Sequence, residues 1–280
     1  MTSISALRPF NDVRVLLEEE ALVEIEKEGK RLAELRRLEQ EKLKKESKNL
    51  KPKIITSVSD NDFYKFSMEE VREKLSKDYL KFLKKSGYAP ELDSASGLMI
   101  AKRILKADDE VRKLISENNI EAKIEDNTNY VVNINHANSK RLVNLLGYQL
   151  PTTGIMYRLF IPSLKDLAES GNEEAKANLN EMNTKAEWLE DLVLDKLRLK
   201  IGNAERRIIL PDKDGRFDRA DISEYGYPTL VRDHGEFYHW HVSGDERAAI
   251  RSRDSEFYLS LVRGPSVESD GLGVRRAKIF

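Results

Sequence analysis

With 280 residues, of which 40% are hydrophobic and 35% charged, the chain fits one large domain or two smaller ones and has enough apolar side chain for a real core. A net charge of −1 gives no overall basic surplus for nucleic acid, and the lack of cysteine excludes disulfides, thiolate nucleophiles and sulfur-ligated zinc. No apolar run reaches membrane-helix length and the first ten residues lack a signal-peptide core, so a soluble protein made in the cytosol is the default expectation, with surface display left open.

The segment from Val13 to about Leu50 is rich in Glu, Lys, Arg and Leu, which are strong helix formers. Leu22, Ile25, Leu32 and Leu35 fall on one face, but the heptad lapses at Arg36 and Glu39. The expectation is a long amphipathic helix, closed by Pro52, that braces the rest of the chain or mediates self-association. Thr56 to Asn61 reads as a polar linker. Ser67 followed by Glu70 has the pattern of a capping box and predicts a helix running to Lys85, stopped at Ser86-Gly87. Further helices are expected after Ala89-Pro90-Glu91 and over about 108–118.

From Tyr130 to Asn135 the residues alternate and are β-branched, which predicts a strand. A helix follows, from His136-Ala137-Asn138-Ser139 to Leu146-Gly147, with His136 read as structural. Helices are also predicted over 161–169 and from Asn183 to Leu199. After Gly202 the chain reads as short strands and turns, including a strand at Arg207–Leu210 and a turn at Pro211–Gly215.

The densest stretch is Gly235-Glu236-Phe237-Tyr238-His239-Trp240-His241-Val242-Ser243-Gly244-Asp245. Three of the four histidines (His234, His239, His241) lie in or beside it, interleaved with aromatic rings. Rigid rings with adaptable polar groups are the composition of a recognition surface. The candidate ligand-binding residues are Phe237, Tyr238 and Tyr258 as aromatic anchors. The polar candidates are Asp233, His234, His239, His241, Ser243, Asp245, Arg253, Asp254 and Glu256.

Three chemical alternatives stand against this. The three histidines, with Asp233 or Asp245, suggest a metal-dependent enzyme, since His-x-His on a strand puts both rings on one face. No His-Glu-x-x-His motif supports it. A Ser-His-Asp hydrolase lacks its Gly-x-Ser-x-Gly elbow, and the acidic residues Asp212, Asp214 and Asp218 lack the spacing of a calcium loop. The reading is therefore of no catalytic residues, no metal and no cofactor.

Leu146-Gly-Tyr-Gln-Leu-Pro-Thr152, following a strand and a helix, resembles the early signature of the C-type-lectin-like fold shared with formylglycine-generating, sulfatase-modifying domains. Leu230-Val231-Arg232 before Trp240 resembles that family's Arg-Gly-Gly-Ser-Trp strand, with the two glycines replaced. Arg247-Ala248-Ala249-Ile250-Arg251 resembles its Arg-x-Ala-x-Arg segment, and Gly273-Val274-Arg275 its closing Gly-Phe-Arg strand. The resemblance spans about residues 130–280. One branch, the oxidases, works through cysteines and does not apply here. The other comprises the variable proteins of diversity-generating retroelements, which display a hypervariable C-terminal face to a ligand. The resemblance thus implies an α+β protein, with a helical region over 1–125 and a C-type-lectin-like domain over 126–280. It also implies a protein or surface glycoconjugate as ligand, and it places Trp240 in the core, as does the usual need of tryptophan for burial.

Overall fold

The computed structural model describes residues 60–194, 197–242, 247–252, 257–261, 263–266 and 271–280. The helix expected over 13–50 and the self-association assigned to it lie outside these residues. The chain divides into two units, Met1–Lys51 and Pro52–Phe280, and every described residue belongs to the second.

Ser67 ends strand β1 (Phe63–Ser67) and caps helix α1 (Met68–Lys74). Its hydroxyl accepts the Glu70 N–H at 3.2 Å, and the Glu70 carboxylate accepts the Ser67 N–H at 2.7 Å. This is the reciprocal box that the sequence predicts, and such a cap contributes ~1 kcal/mol. The helix does not run on to Lys85. Leu75 turns extended, and Ser76 caps a second helix, α2 (Lys77–Lys85), by accepting the Tyr79 N–H at 3.1 Å. The new cap buries Tyr79, Leu80, Phe82 and Leu83 on one side of α2. Gly87, at φ 78, ends that segment. After Ala89-Pro90-Glu91 the backbone forms turns rather than the expected helix.

Strand β2 (Gly97–Ala101) leads to α3 (Asp109–Glu117), capped by Asp108, and to the hairpin of β3 (Lys123–Ile124) and β4 (Val131–Val132). The strand expected over 130–135 is cut to two residues, because Asn133 adopts φ 52 and Asn135 already caps α4 (His136–Leu145). A π-helical turn over Ile155–Phe160 runs into α5 (Ile161–Glu169), and α6 (Glu173–Thr184) follows.

Ala186–Leu194 is strand β5, where the sequence predicts a helix from Asn183 to Leu199. Leu and Glu favour helix, but β5 lies between two hydrophobic clusters and tertiary burial overrides propensity. Leu189 and Val193 enter one cluster and Trp188 the other, so the strand is buried on both faces and shows no alternation. The remaining strands are β6 (Arg198–Ile201), β7 (Ala204–Arg207), β8 (Gly215–Phe217), β9 (Phe237–Trp240), β10 (Arg247–Ser252), β11 (Phe257–Ser260), β12 (Leu272–Gly273) and β13 (Ala277–Ile279). Only Arg207 of the strand expected at 207–210 is in β7.

The large sheet has the order β7-β6-β5-β10-β11-β9-β8, with β12 alongside β5. A second sheet, β1-β2-β13, joins the chain's last strand to two of its earliest described ones. The boundary expected at 125/126 therefore falls inside the β3–β4 connection, and residues 60–125 belong to the same unit as the C-terminal half. With helices on sheets in mixed order, the architecture is α+β.

Two buried polar networks fix β5. Glu187 accepts Arg275 through both oxygens, at 2.9 Å from Nε and 2.7 Å from Nη2, and Arg251 Nη2 at 2.9 Å; none of these side chains is exposed. Four residues along, Asp191 Oδ2 accepts the Thr153 N–H at 2.9 Å and the Tyr227 hydroxyl at 3.0 Å. These bonds, with Glu190 N–H to the Pro151 carbonyl at 3.0 Å, pin the Leu150-Pro151-Thr152 segment to β5. Gln149 pairs with Ala277, so that segment also lies beside the C-terminal strand.

Candidate recognition face

Four residues, Phe237-Tyr238-His239-Trp240, form β9, and their alternation decides what the sheet shows to solvent. On one side β9 runs parallel to β11, with Phe237 opposite Phe257, Tyr238 opposite Tyr258 and His239 opposite Leu259. On the other it is antiparallel to β8, where Arg216 faces Tyr238 and Phe217 faces Phe237. Gly235 sets the entry to β9. At φ 152, any Cβ there would meet the Phe217 backbone at 2.7 Å.

The inward side is an aromatic core. Phe237 stacks on Phe217 with centroids 5.3 Å apart and meets Tyr157 at 5.6 Å and Phe257 at 6.4 Å. Lys165 closes this cluster, its Nζ 4.8 Å from the centre of the Phe237 ring and 2.5 Å from Glu236. Phe237 is fully buried, which corrects its assignment as an anchor for a ligand. His239 is equally buried, so it is not a polar contact either. Burial lowers its pKa to about 4, with Asp214 opposing, and the ring is neutral at physiological pH.

The outward side carries Tyr238, Trp240 and Tyr258. Ring centroids lie 5.2 Å apart for Tyr238–Tyr258, 6.1 Å for Tyr238–Trp240 and 6.5 Å for Trp240–Tyr258. Trp240 is 46% exposed, so its expected core position is wrong by one step of the strand alternation. Phe237 and His239 take the inward positions because Phe217, Tyr157 and Phe257 form their pocket, leaving the larger indole outside.

His241 accepts no buried role: its backbone N–H and ring Nδ1 lie 2.8 and 2.7 Å from Asp214 Oδ1, near the exposed rings in sequence and half open to solvent. Burial raises the Asp214 pKa, but the His241 contacts outweigh it and hold the carboxyl below its ordinary value. Asp233 and His234 are exposed on the approach to β9. Ser243, Asp245, Arg253, Asp254 and Glu256 lie outside the described residues.

The three histidines are not brought together. His234 is exposed, His239 faces the core and His241 is engaged with Asp214; among the described residues no group of three His, Asp or Glu side chains is arranged to hold a metal. His136 is buried, with Nε2 2.8 Å from the Leu189 carbonyl and its ring against Trp188, the structural role expected of it.

Sequence reading weighs Asp214 only as part of a calcium loop and passes over Arg216. The signal for both is the short alternating run Asp214-Gly215-Arg216-Phe217, hidden by its reading as a turn. Among the described residues no helix is long and apolar enough to cross a membrane. Comparison with known proteins adds no neighbour to this picture: no family model matches the chain, and no curated protein or solved structure matches it.

Proposed function

We propose that this protein binds a ligand through the outward face of β9 and β11, with Tyr238, Trp240 and Tyr258 as its aromatic anchors. The observation that carries this reading is a cluster of three touching rings, with Trp240 exposed and Tyr238 and Tyr258 half-buried, on a sheet whose reverse side is already a packed aromatic core. Clustered aromatics that open to solvent mark surfaces that are covered by a partner. Tyr and Trp suit this task, since each presents a large rigid face and a polar edge.

In the fuller form of the proposal, the scaffold is C-type-lectin-like and the protein is a variable protein of a diversity-generating retroelement. Its ligand is then a protein or a surface glycoconjugate. Support comes from the residues that carry the resemblance. Arg251 and Arg275, from two separate motif segments, converge on the single carboxylate of Glu187. Leu150-Pro151-Thr152 joins α4 to the π-helical turn beside β13.

Sequencing the DNA around the gene tests the fuller form. The expected result is a reverse-transcriptase gene and a near-copy of the C-terminal coding segment that differs at adenines, with differences covering the codons of Tyr238, Trp240 or Tyr258. A locus with no such copy removes the retroelement origin and leaves the binding face to be judged by mutation.

A further inference from the structure

A second site lies away from the aromatic face, around Arg276. By alternation along the C-terminal segment, Arg275 points into the core and Arg276 points the other way. The Arg276 guanidinium lies 5.1 Å from the Phe63 ring centre and 5.3 Å from that of Tyr148, and the two rings are themselves stacked 12° from parallel. Stacking of this kind fixes the plane of the guanidinium and leaves its N–H edge to a ligand. The side chain borders a cavity of about 440 Å³ that Asp62, Lys102, Lys106 and Asp108 also line.

Arg276 is half-buried and differs from the buried Arg251 and Arg275 in its partners. Arg251 and Arg275 share Glu187, whereas among the described residues Arg276 has no ion pair; its buried Nε, like that of Arg251, has no hydrogen-bond acceptor there. Its neighbours are mostly committed. Lys102 pairs with Glu174 at 2.9 Å, Arg103 lies 3.7 Å from Glu181, and Asp108 Oδ1 accepts the Val111 N–H at 2.8 Å as the cap of α3. Lys106 has its Nζ over the Tyr130 ring at 5.7 Å and no carboxylate partner among the described residues. Burial lowers the Arg276 pKa, opposed by Tyr148, Asp62 and Asp108, but a guanidinium stays charged throughout the working range. A cation held this way gains most from a planar oxyanion that accepts two N–H groups at once.

Charge decides which oxyanion. Lining the cavity are the cations Lys102, Arg103, Lys106 and Arg276 and the anions Asp62, Asp108 and Glu174, four against three. A surplus of one positive charge suits a singly charged ligand, whereas a dianion meets Asp62 and Asp108 with no cation to spare. We infer that the Arg276 cavity is a binding site for a small monocarboxylate, held by the N–H edge of the Arg276 guanidinium with Lys106 at its side.

The test is an NMR titration of the ¹⁵N-labelled protein with sodium formate and sodium acetate, beside sodium chloride and inorganic phosphate at matched ionic strength. The Arg276 Nε–H resonance, identified by its loss in Arg276→Lys, and the Ile104 and Leu105 amides report on the cavity. Both carboxylates are expected to shift these signals saturably, with an apparent Kd at least about tenfold below that of chloride. Arg276→Lys should keep its melting temperature, lose the saturable shifts of Ile104 and Leu105, and so separate guanidinium geometry from charge alone. Lys106→Ala, at an exposed position, should weaken binding several-fold, and Trp240→Ala should leave it unchanged. Shifts that grow linearly and equally in chloride would overturn the inference, as would tighter binding of phosphate than of formate. Unaltered carboxylate binding in both Arg276→Lys and Lys106→Ala would overturn it too.

Discussion

Tyr238 and Tyr258 face each other across the parallel strands β9 and β11, their ring centroids 5.2 Å apart on the solvent side of the sheet. One residue back, Phe237 and Phe257 face each other in the same register on the core side. A single step of alternation therefore separates residues packed in the core from residues that open to solvent.

This separation predicts unequal costs of truncation. Phe237→Ala removes a fully buried ring and should destabilise by ~3–5 kcal/mol. Trp240→Ala removes a ring that is 46% exposed, and should shift stability by only about 0.5–1 kcal/mol. Chemical denaturation of the two variants beside the parent measures both numbers.

The two tryptophans give an optical check on the same point. Trp188 is completely buried, with its Nε1–H donated to the Ile134 carbonyl at 2.6 Å, whereas Trp240 is half open to water. Iodide should quench one component of the emission and spare the other. Trp240→Phe should leave a blue-shifted emission that iodide barely touches. Strong residual quenching in that variant would place the exposed indole at Trp188 instead.

How much of this was legible in the sequence follows from the range of the interactions involved. The Ser67–Glu70 box, the helix beginning at about 108 and α5 can all be read directly, because each is settled within a turn or two of chain. Strand β5 cannot. Its Glu187 and Asp191 look like helix-surface residues until Arg251, Arg275 and Tyr227 arrive from positions 36 to 88 residues away. The aromatic tract is legible as an alternating strand but not in its phase. Two phases satisfy the alternation, and only the partner rings Phe217, Tyr157 and Phe257 choose between them.

Glu187 makes the fold sensitive to acid. Burial raises its pKa, but Arg251 and Arg275 outweigh that and hold it at about 2, against an ordinary 4.5. A carboxyl with a depressed folded-state value contributes stability above its unfolded pKa and loses that contribution as pH falls toward 2. Glu187→Gln should remove this acid limb between about pH 4.5 and 2. It should also cost ~3–5 kcal/mol at neutral pH, because two buried guanidinium groups lose their carboxylate. Stability measured as a function of pH for parent and variant checks both.

Asp191 has the opposite sign. Burial pushes its pKa up to about 7 from 3.8, even though Thr153 and Tyr227 hydrogen-bond to it. The stability from its protonated form is complete below pH 3.8 and is lost as pH rises through about 7. Asp191→Asn should abolish that loss. Relative to the parent, the variant should gain on the order of 1–4 kcal/mol between pH 4 and pH 8. A constant difference between parent and variant across this range would show that Asp191 ionises normally in the folded protein.

The central claim, that the outer face of β9 and β11 binds a ligand without holding the fold, is tested most directly by one comparison. The parent and a variant carrying Tyr238→Ala, Trp240→Ala and Tyr258→Ala are applied to an array of surface glycans and surface proteins, with thermal unfolding recorded for each. The account predicts that the parent binds at least one array component, and that the variant melts within a few degrees of the parent yet loses that binding by at least about a hundredfold. A variant that unfolds, or one that binds as the parent does, would contradict it.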